Sequence, residues 1–406
     1  MLKLRHLTLC LAICSAAMAA DNITGWRNDG SGLFPNATPS LKWDGEKKEG
    51  GGILWKTKIG KNLFSSPILV GEKLFVLADP DKLICLDANT GKELWSKTTT
   101  LADLPEKPAE DPEETNDEVG NTTPTPITDG KNIYVLFANG LVTSFDLTGN
   151  RQWITYMSEP SATSYGRSAS PCLADDKLIV STGILTALDK NTGKTLWKAD
   201  KKVEEQFGTP VATKVGEGGG ETLIVAPSGH ILKASDGSIL AKFGDLSYAS
   251  PIVVGDKAFF IDASSYAVQL SPNAADIKRI WRNNDLEGEF YSSPIHHDGL
   301  IYTLSYQGQL YVLDAATGKT VYDQKLKIAN MSGEPDVPAG NIYQSLCLAG
   351  GKIYLSNEPG ETLIIEPGRE YKQLAHNHLN EQIAGSLTFA GKRIYIRTKD
   401  SILCIE

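Results

Sequence analysis

Residues 86–95 read LDANTGKELW, and their Gly-Lys pair invites comparison with a phosphate-binding loop. Such a loop needs Gly, four residues, then Gly-Lys-Ser/Thr, because converging glycine N–H groups cradle the phosphates and the hydroxyl reaches a magnesium ion. Here Glu93 follows Lys92, and Leu86 stands where the first glycine would be. The chemistry of a nucleotide site is missing. The stretch instead returns as LDKNTGKTLW over 188–197, LDAATGKTVY over 313–322 and, more loosely, FDLTGNRQW over 145–153. A motif recurring at such intervals is architecture.

A second marker precedes the first. It reads SSPILVG (65–71), TPTPITDG (123–130), SASPCLAD (168–175), GTPVATK (208–214), YASPIVVG (248–255) and YSSPIHHDG (291–299), with proline-less copies QSLCLAGG (344–351) and GSLTFAGK (385–392). From Pro67 through Pro126, Pro171, Pro210, Pro251, Pro294 and Leu346 to Leu387 the spacings are 59, 45, 39, 41, 43, 52 and 41. Within one unit, SPILV, LFVLA, LICLD and ELWSK read as short strands, separated by turns rich in Gly, Asp and Asn. Four strands in about forty residues make a propeller blade. The sequence therefore predicts an all-β, eight-bladed propeller of antiparallel blades over residues 53–406.

The termini predict how the ring closes. The last unit ends at Glu406 after three strands, whereas ILWKTKI (53–59) precedes the first unit as an orphan fourth strand carrying Trp55. Joining the two completes blade eight and leaves no free sheet edge. The repeating turn then has structural work: Asp87 closes it by hydrogen bonding, Gly91 takes the left-handed position and Trp95 packs on the neighbouring blade. The same roles fall to Asp189, Gly193 and Trp197, to Asp314, Gly318 and Tyr322, and to Trp55, Trp153 and Trp281. Cys85 and Cys404 share one register position in adjacent blades, as Cys172 and Cys347 do in distant ones. Sheets packed ~10 Å apart do not bring such pairs to disulfide spacing, so all four are expected as free thiols.

Residues 1–20 read as a secretory signal, with Lys3, Arg5 and His6 ahead of an apolar run and the Ala17-Met18-Ala19 cleavage pattern. A lipid anchor at Cys14 is the alternative processing, disfavoured by the bulky Ile13. Residues 21–52 form an N-terminal extension. A net charge of −9 without a basic block excludes a nucleic-acid partner of the usual kind, and no later segment is apolar for long enough to span a membrane. The expected product is a monomer in the periplasm or outside the cell.

The LDxxTGKxxW and SSPxxxG repeats resemble the pyrroloquinoline-quinone-like (PQQ-like) propeller repeat, found in quinoprotein dehydrogenases and in the non-enzymatic outer-membrane β-barrel assembly factor B. WRNDGSGLFPNATPSLKW (26–43) is similar to the segment that precedes the first blade in exported propellers of this group. The resemblance implies either a binding or scaffolding module of the cell envelope or, as the alternative, a quinone-dependent or other top-face enzyme acting on alcohols or sugars. Quinoprotein dehydrogenases carry adjacent cysteines over the quinone and a calcium site, and this chain has no Cys-Cys pair. No cofactor is expected; PQQ and calcium stay open as alternatives that no motif in the chain supports.

Candidate site residues lie where outer strands connect to the next inner strand, since these connections open on one face. They are Asn121, Tyr165, Arg167, Gln206, Tyr248, Tyr291, Tyr343 and Gln344, a polar and aromatic ring suited to a carbohydrate, a peptide or an envelope protein. Arg167 leads among them. Residues 101–120 hold eight carboxylates, one lysine and three prolines, which reads as an unstructured acidic loop whose spacing fits no EF-hand. His376 and His378 share one side of a strand and could begin a zinc site, but the sequence shows no third ligand.

Overall fold

The protein was analysed as a computed structural model that describes residues 22–43, 52–61, 64–108, 119–163, 165–204, 206–216, 220–328 and 341–406. The secretory signal, Cys14 and the centre of the acidic insertion lie outside these residues. Eight four-stranded antiparallel sheets follow one another around a channel, one of them carrying an added fifth strand. In blade one the strands are Ile68–Val70, Lys73–Ala78, Lys82–Asp87 and Glu93–Thr98, running from the channel outward. The two middle strands are buried nearly throughout, as expected of a sheet packed on both faces.

Closure occurs as the sequence predicts. Ile53–Lys58 pairs with Ser401–Ile405, placing Trp55 opposite Cys404 and Lys58 opposite Ser401. Arg397 locks this junction from inside, donating to the carbonyls of Ser401 (3.0 Å) and of Gly60 (2.7 Å) just beyond the N-terminal strand.

The repeated turn works as a dock between blades. Asp87 Oδ1 accepts from the backbone N–H groups of Asn89 (3.0 Å) and Thr90 (2.8 Å), and Asp189 and Asp314 close their turns in the same way. Gly91, Gly193 and Gly318 take φ near +70°, a conformation that penalises any Cβ. The neighbouring blade's tryptophan lies on each of them. A Cβ at Gly91 would stand 2.4 Å from the Trp55 ring, at Gly193 2.4 Å from Trp153, at Gly237 2.6 Å from Trp197 and at Gly318 2.4 Å from Trp281. The indole N–H then donates to a carbonyl of the same turn: Trp55 to Ala88, Trp153 to Lys190, Trp197 to Ala234 and Trp281 to Ala315, at 2.9–3.2 Å. Trp95 packs on Gly149, but its N–H has no partner. Blade two's turn is one residue shorter, and its Leu147 carbonyl is taken by Lys73.

The exceptions follow the same rule. Blade four carries Ala241 at the tryptophan position, and the facing connection of blade five is a short 3-10 helix, Ala274–Asp276, without the glycine turn. Blade seven carries Ala375, and blade eight has no such turn because its outer strand is the N-terminal Ile53–Lys58. Tyr322 faces a differently built loop and packs with Tyr371 in the cluster between blades six and seven.

Residues 22–43 have an arrangement that the sequence did not suggest. Ile23 exchanges backbone bonds with Leu69 of blade one, and Thr24 O accepts from Thr128 of blade two (2.7 Å). On the opposite side Arg27 reaches blades six and seven, Leu33–Phe34 pairs parallel to the inner strand of blade seven, and Thr38 donates to Gly391 of blade eight. The segment thus crosses the channel and seals one end of it.

Two measurements test this architecture. Gly91→Ala should cost about 3 kcal/mol, combining a left-handed Cβ with an overpacked indole contact. Gly130→Ala has a positive φ but nothing within 4 Å of the added Cβ, and should cost about 1–2 kcal/mol; equal losses in chemical denaturation would reject the dock. Cys85, Cys172, Cys347 and Cys404 are buried and free, with thiols pushed up to about 12 by burial. Thiol titration of the non-reduced mature protein should therefore find four groups after denaturation and almost none before.

Candidate functional site: the mouth of the sealed channel

Each inner strand enters the channel at the residue before the proline, or before Leu346 or Leu387. That residue is a serine or threonine in every blade. Its backbone N–H donates to the hydroxyl of its counterpart in the next blade: Ser66 to Thr125 (2.9 Å), Thr125 to Ser170 (2.9 Å), Ser170 to Thr209 (3.1 Å), Thr209 to Ser250 (2.8 Å), Ser250 to Ser293 (2.9 Å), Ser293 to Ser345 (3.0 Å) and Ser345 to Ser386 (3.0 Å). Between blades eight and one, Thr388 Oγ1 donates to the Pro67 carbonyl (3.1 Å). Proline suits the following position because it brings no N–H of its own into the channel wall and holds the preceding residue extended. The SSP repeat is thus a belt of hydrogen bonds.

Two residues earlier, one layer nearer the open end, a second repeated position forms a rim. Five blades place an aromatic there: Phe64, Phe207, Tyr248, Tyr291 and Tyr343. Their rings touch in sequence, with Phe207–Tyr248 at 5.3 Å, Tyr248–Tyr291 stacked at 4.0 Å, Tyr291–Tyr343 edge-on at 5.3 Å and Phe64–Tyr343 edge-on at 5.8 Å. Thr123, Ser168 and Ala384 occupy the position in the other three blades, leaving a gap in the rim. Trp26 of the N-terminal segment lies at the base. Rim, hydroxyl belt and Trp26 enclose a cup of about 470 Å³.

The expected site residues divide. Tyr165, Tyr248, Tyr291, Tyr343 and Gln344 line the cup. Tyr165 is exposed and approaches Phe207 at 6.2 Å. Gln344 is buried; its Nε2 donates to Ile383 O (2.7 Å), while Oε1 has no partner. Gln206 lies outside the lining, and its neighbour Phe207 takes the place. Asn121 is buried away from the cup, joining loops of blades one and two through Asp81 and Asn139. Arg167, the leading expectation, is also placed elsewhere: its guanidinium is buried and donates to the carbonyls of Ala138 (3.0 Å) and Glu159. Buried loop carbonyls need donors, and a long forked cation supplies several at once.

The sequence reading missed the hydroxyl belt, Phe64, Phe207 and Trp26. The belt and the two phenylalanines were accessible by aligning the eight copies on the proline; Trp26 was not, since it belongs to no repeat.

Charge in the cup is sparse. Glu358 and Lys399 join the lining from loops of blades seven and eight. Beneath Trp26, with its guanidinium 5.0 Å from the ring centroid, Arg27 is fully buried and its pKa falls to about 10 through loss of solvent, so it stays charged at neutral pH. Outside the cup, His376 and His378 point their Nε2 atoms at the buried Glu361 carboxylate, at 3.3 and 3.2 Å. Glu361 is the third group the sequence did not show, yet no metal-holding cluster is formed among the described residues. Asn377 between them faces the other way and holds Leu41 O and Trp43 N of the sealing segment, both at 3.0 Å.

The belt is open to a direct test. Ser250→Ala leaves the buried Thr209 N–H without an acceptor and should cost about 1–3 kcal/mol. Ser250→Thr restores a hydroxyl that blades two and four already use, and should recover most of the loss. Equal denaturation midpoints for the alanine variant and the native protein would show that the belt contributes nothing.

Comparison with known proteins agrees with the repeat. The family described as outer membrane protein assembly factor BamB matches residues 47–276 and 268–363. BamB of Burkholderia pseudomallei (strain K96243) is 23% identical over 348 residues, covering 73% of this chain and 86% of that protein. Among solved structures, BamB from Moraxella catarrhalis superposes with a TM-score of 0.61 at 13% identity, over 87% of this chain and 98% of that one. A europium-containing methanol dehydrogenase gives 0.63 at 13% identity, over 94% and 89%. These two likenesses show the fold, whereas the match over most of the repeat region shows the family: the chain belongs to the family of outer membrane protein assembly factor BamB.

Proposed function

We propose that this protein is a non-catalytic binding or scaffolding propeller of the bacterial cell envelope, which receives a partner segment or ligand in its sealed cup. The observation that carries this reading is the closure of the channel by residues 22–43, which turns a hole into a receptacle open on one face. Its wall consists of inner strands tied blade to blade, so the site is rigid before anything binds, and a preformed concave site loses less freedom on binding. Export follows from the basic start, apolar run and small-residue pattern of residues 1–20. The family description points to the same compartment, and no helix among the described residues is long and apolar enough to cross a membrane.

Photo-crosslinking in intact cells tests the assignment of the face. A crosslinking residue in place of Tyr165, which is 41% exposed at the rim, should give a discrete adduct with an envelope protein or envelope ligand. The same residue in place of Leu196, 47% exposed on an outer strand, should give none. Adducts from Leu196 alone, or the same adducts from both positions, would reject the cup as the receiving face.

A further inference from the structure

The cup holds more hydrogen-bond donors than its own fold consumes. A hydroxyl both accepts and donates. Each of the seven belt hydroxyls from Thr125 to Ser386 accepts an N–H from the preceding blade, and none donates to a protein group among the described residues. All seven line the cup, so their O–H hydrogens are left for its lumen, converging at one level around the axis. One layer above, the stacked Tyr248–Tyr291 pair turns its faces on each other, and the remaining ring edges carry the positive end of the aromatic quadrupole.

Below the base lies a buried cation without a direct ion pair, Asp29 acting on it only at longer range. Arg27 Nη2 donates to the carbonyls of Ser31 (3.4 Å), Pro294 (2.8 Å) and Leu346 (2.9 Å), while Nε and Nη1 have no partner and no carboxylate is within hydrogen-bond reach. Burying a charge in this way is costly unless something offsets it. Of the charged groups on the lining, Glu358 and Lys399 oppose each other in sign. One group of the opposite kind is present: the buried, unpartnered Gln344 Oε1, which requires a donor.

These features specify a ligand. We propose that the cup is a carboxylate receptor for an acid with an apolar or aromatic body and a hydrogen-bond donor beside the carboxylate. The carboxylate takes the converging belt hydroxyls above the Arg27 charge, the adjacent N–H or O–H meets Gln344 Oε1, and the body rests in the aromatic rim. A planar group with about four acceptor positions in its plane suits donors arranged at one level. An N-acyl amino acid and the C-terminus of a polypeptide both present this chemistry. The proposal rests on the cup being the receiving site.

Calorimetric titration of the full mature protein distinguishes the cases. Hippurate, which carries a phenyl ring, an amide N–H and a carboxylate, should bind, and hippuramide should bind at least tenfold more weakly; both use the native protein, so no variant has to fold. Arg27→Met, with folding verified by its melting curve, should weaken hippurate at least tenfold and leave hippuramide nearly unchanged. A tripeptide with a free C-terminus, compared with its amidated form, identifies the source. A free peptide binding at least tenfold tighter than hippurate would assign a polypeptide terminus, and no such gain would assign a small acid. Equal binding of hippurate and hippuramide, binding of maltose in preference to both, or no binding of any probe would overturn the carboxylate assignment. The crosslinking result at Tyr165 would stand independently of that failure.

Discussion

Where eight inner strands converge on one axis, each brings a backbone N–H to a wall with no ninth element to pair it. An inner edge left in this state would bury unpaired donors around the whole channel, at a cost comparable to a lost hydrogen bond each. The protein meets this constraint at seven of the eight junctions with a hydroxyl placed to accept from the blade before it, and at the eighth Thr388 Oγ1 donates to the Pro67 carbonyl instead. The belt ties neighbouring blades at equivalent residues and so fixes their register. Every position counted from it falls at a defined depth in the channel.

The outer edge has a second device with the same logic. An indole covers a turn that only glycine can make; where the facing turn is absent, blades four and seven carry alanine and blade six carries Tyr322. Large aromatic area appears where a partner surface exists to bury it, which limits exposed apolar surface on the outer strands. Inner belt and outer dock act on different strands of each blade, so rotation about either contact is resisted by the other. The buried arginines 27, 167 and 397 serve the remaining irregular segments, each bonding backbone carbonyls that no strand could pair.

The candidate site has no machinery separate from this architecture. Its walls are the belt hydroxyls, its rim is the position two residues earlier, and its base is the segment that crosses the channel. A repeat needed for closure thereby presents a ring of O–H groups to a ligand, and variation at the rim position alone decides which blades contribute aromatic surface. The sealing segment gives the cup its depth and brings Arg27 to a place where no repeat supplies a charge.

How much of this was legible depends on whether a residue acts through its own repeat. The blade count, the completion of blade eight by residues 53–59, the turn chemistry of Asp87 and Gly91, and the free state of the four cysteines could all be read from the chain, because period and register are local and recur. Position alone also brought Tyr248, Tyr291, Tyr343 and Gln344 to the mouth. That Arg167 and Asn121 turn inward emerges in the folded ring, since a loop residue's orientation depends on which buried carbonyls and carboxylates another blade places beside it. The folded ring alone revealed the crossing of residues 22–43, a segment without a repeat whose partners in blades six to eight lie 267 to 334 or more residues away. Partners of that kind are fixed by the closed ring, and no local pattern in the chain encodes them.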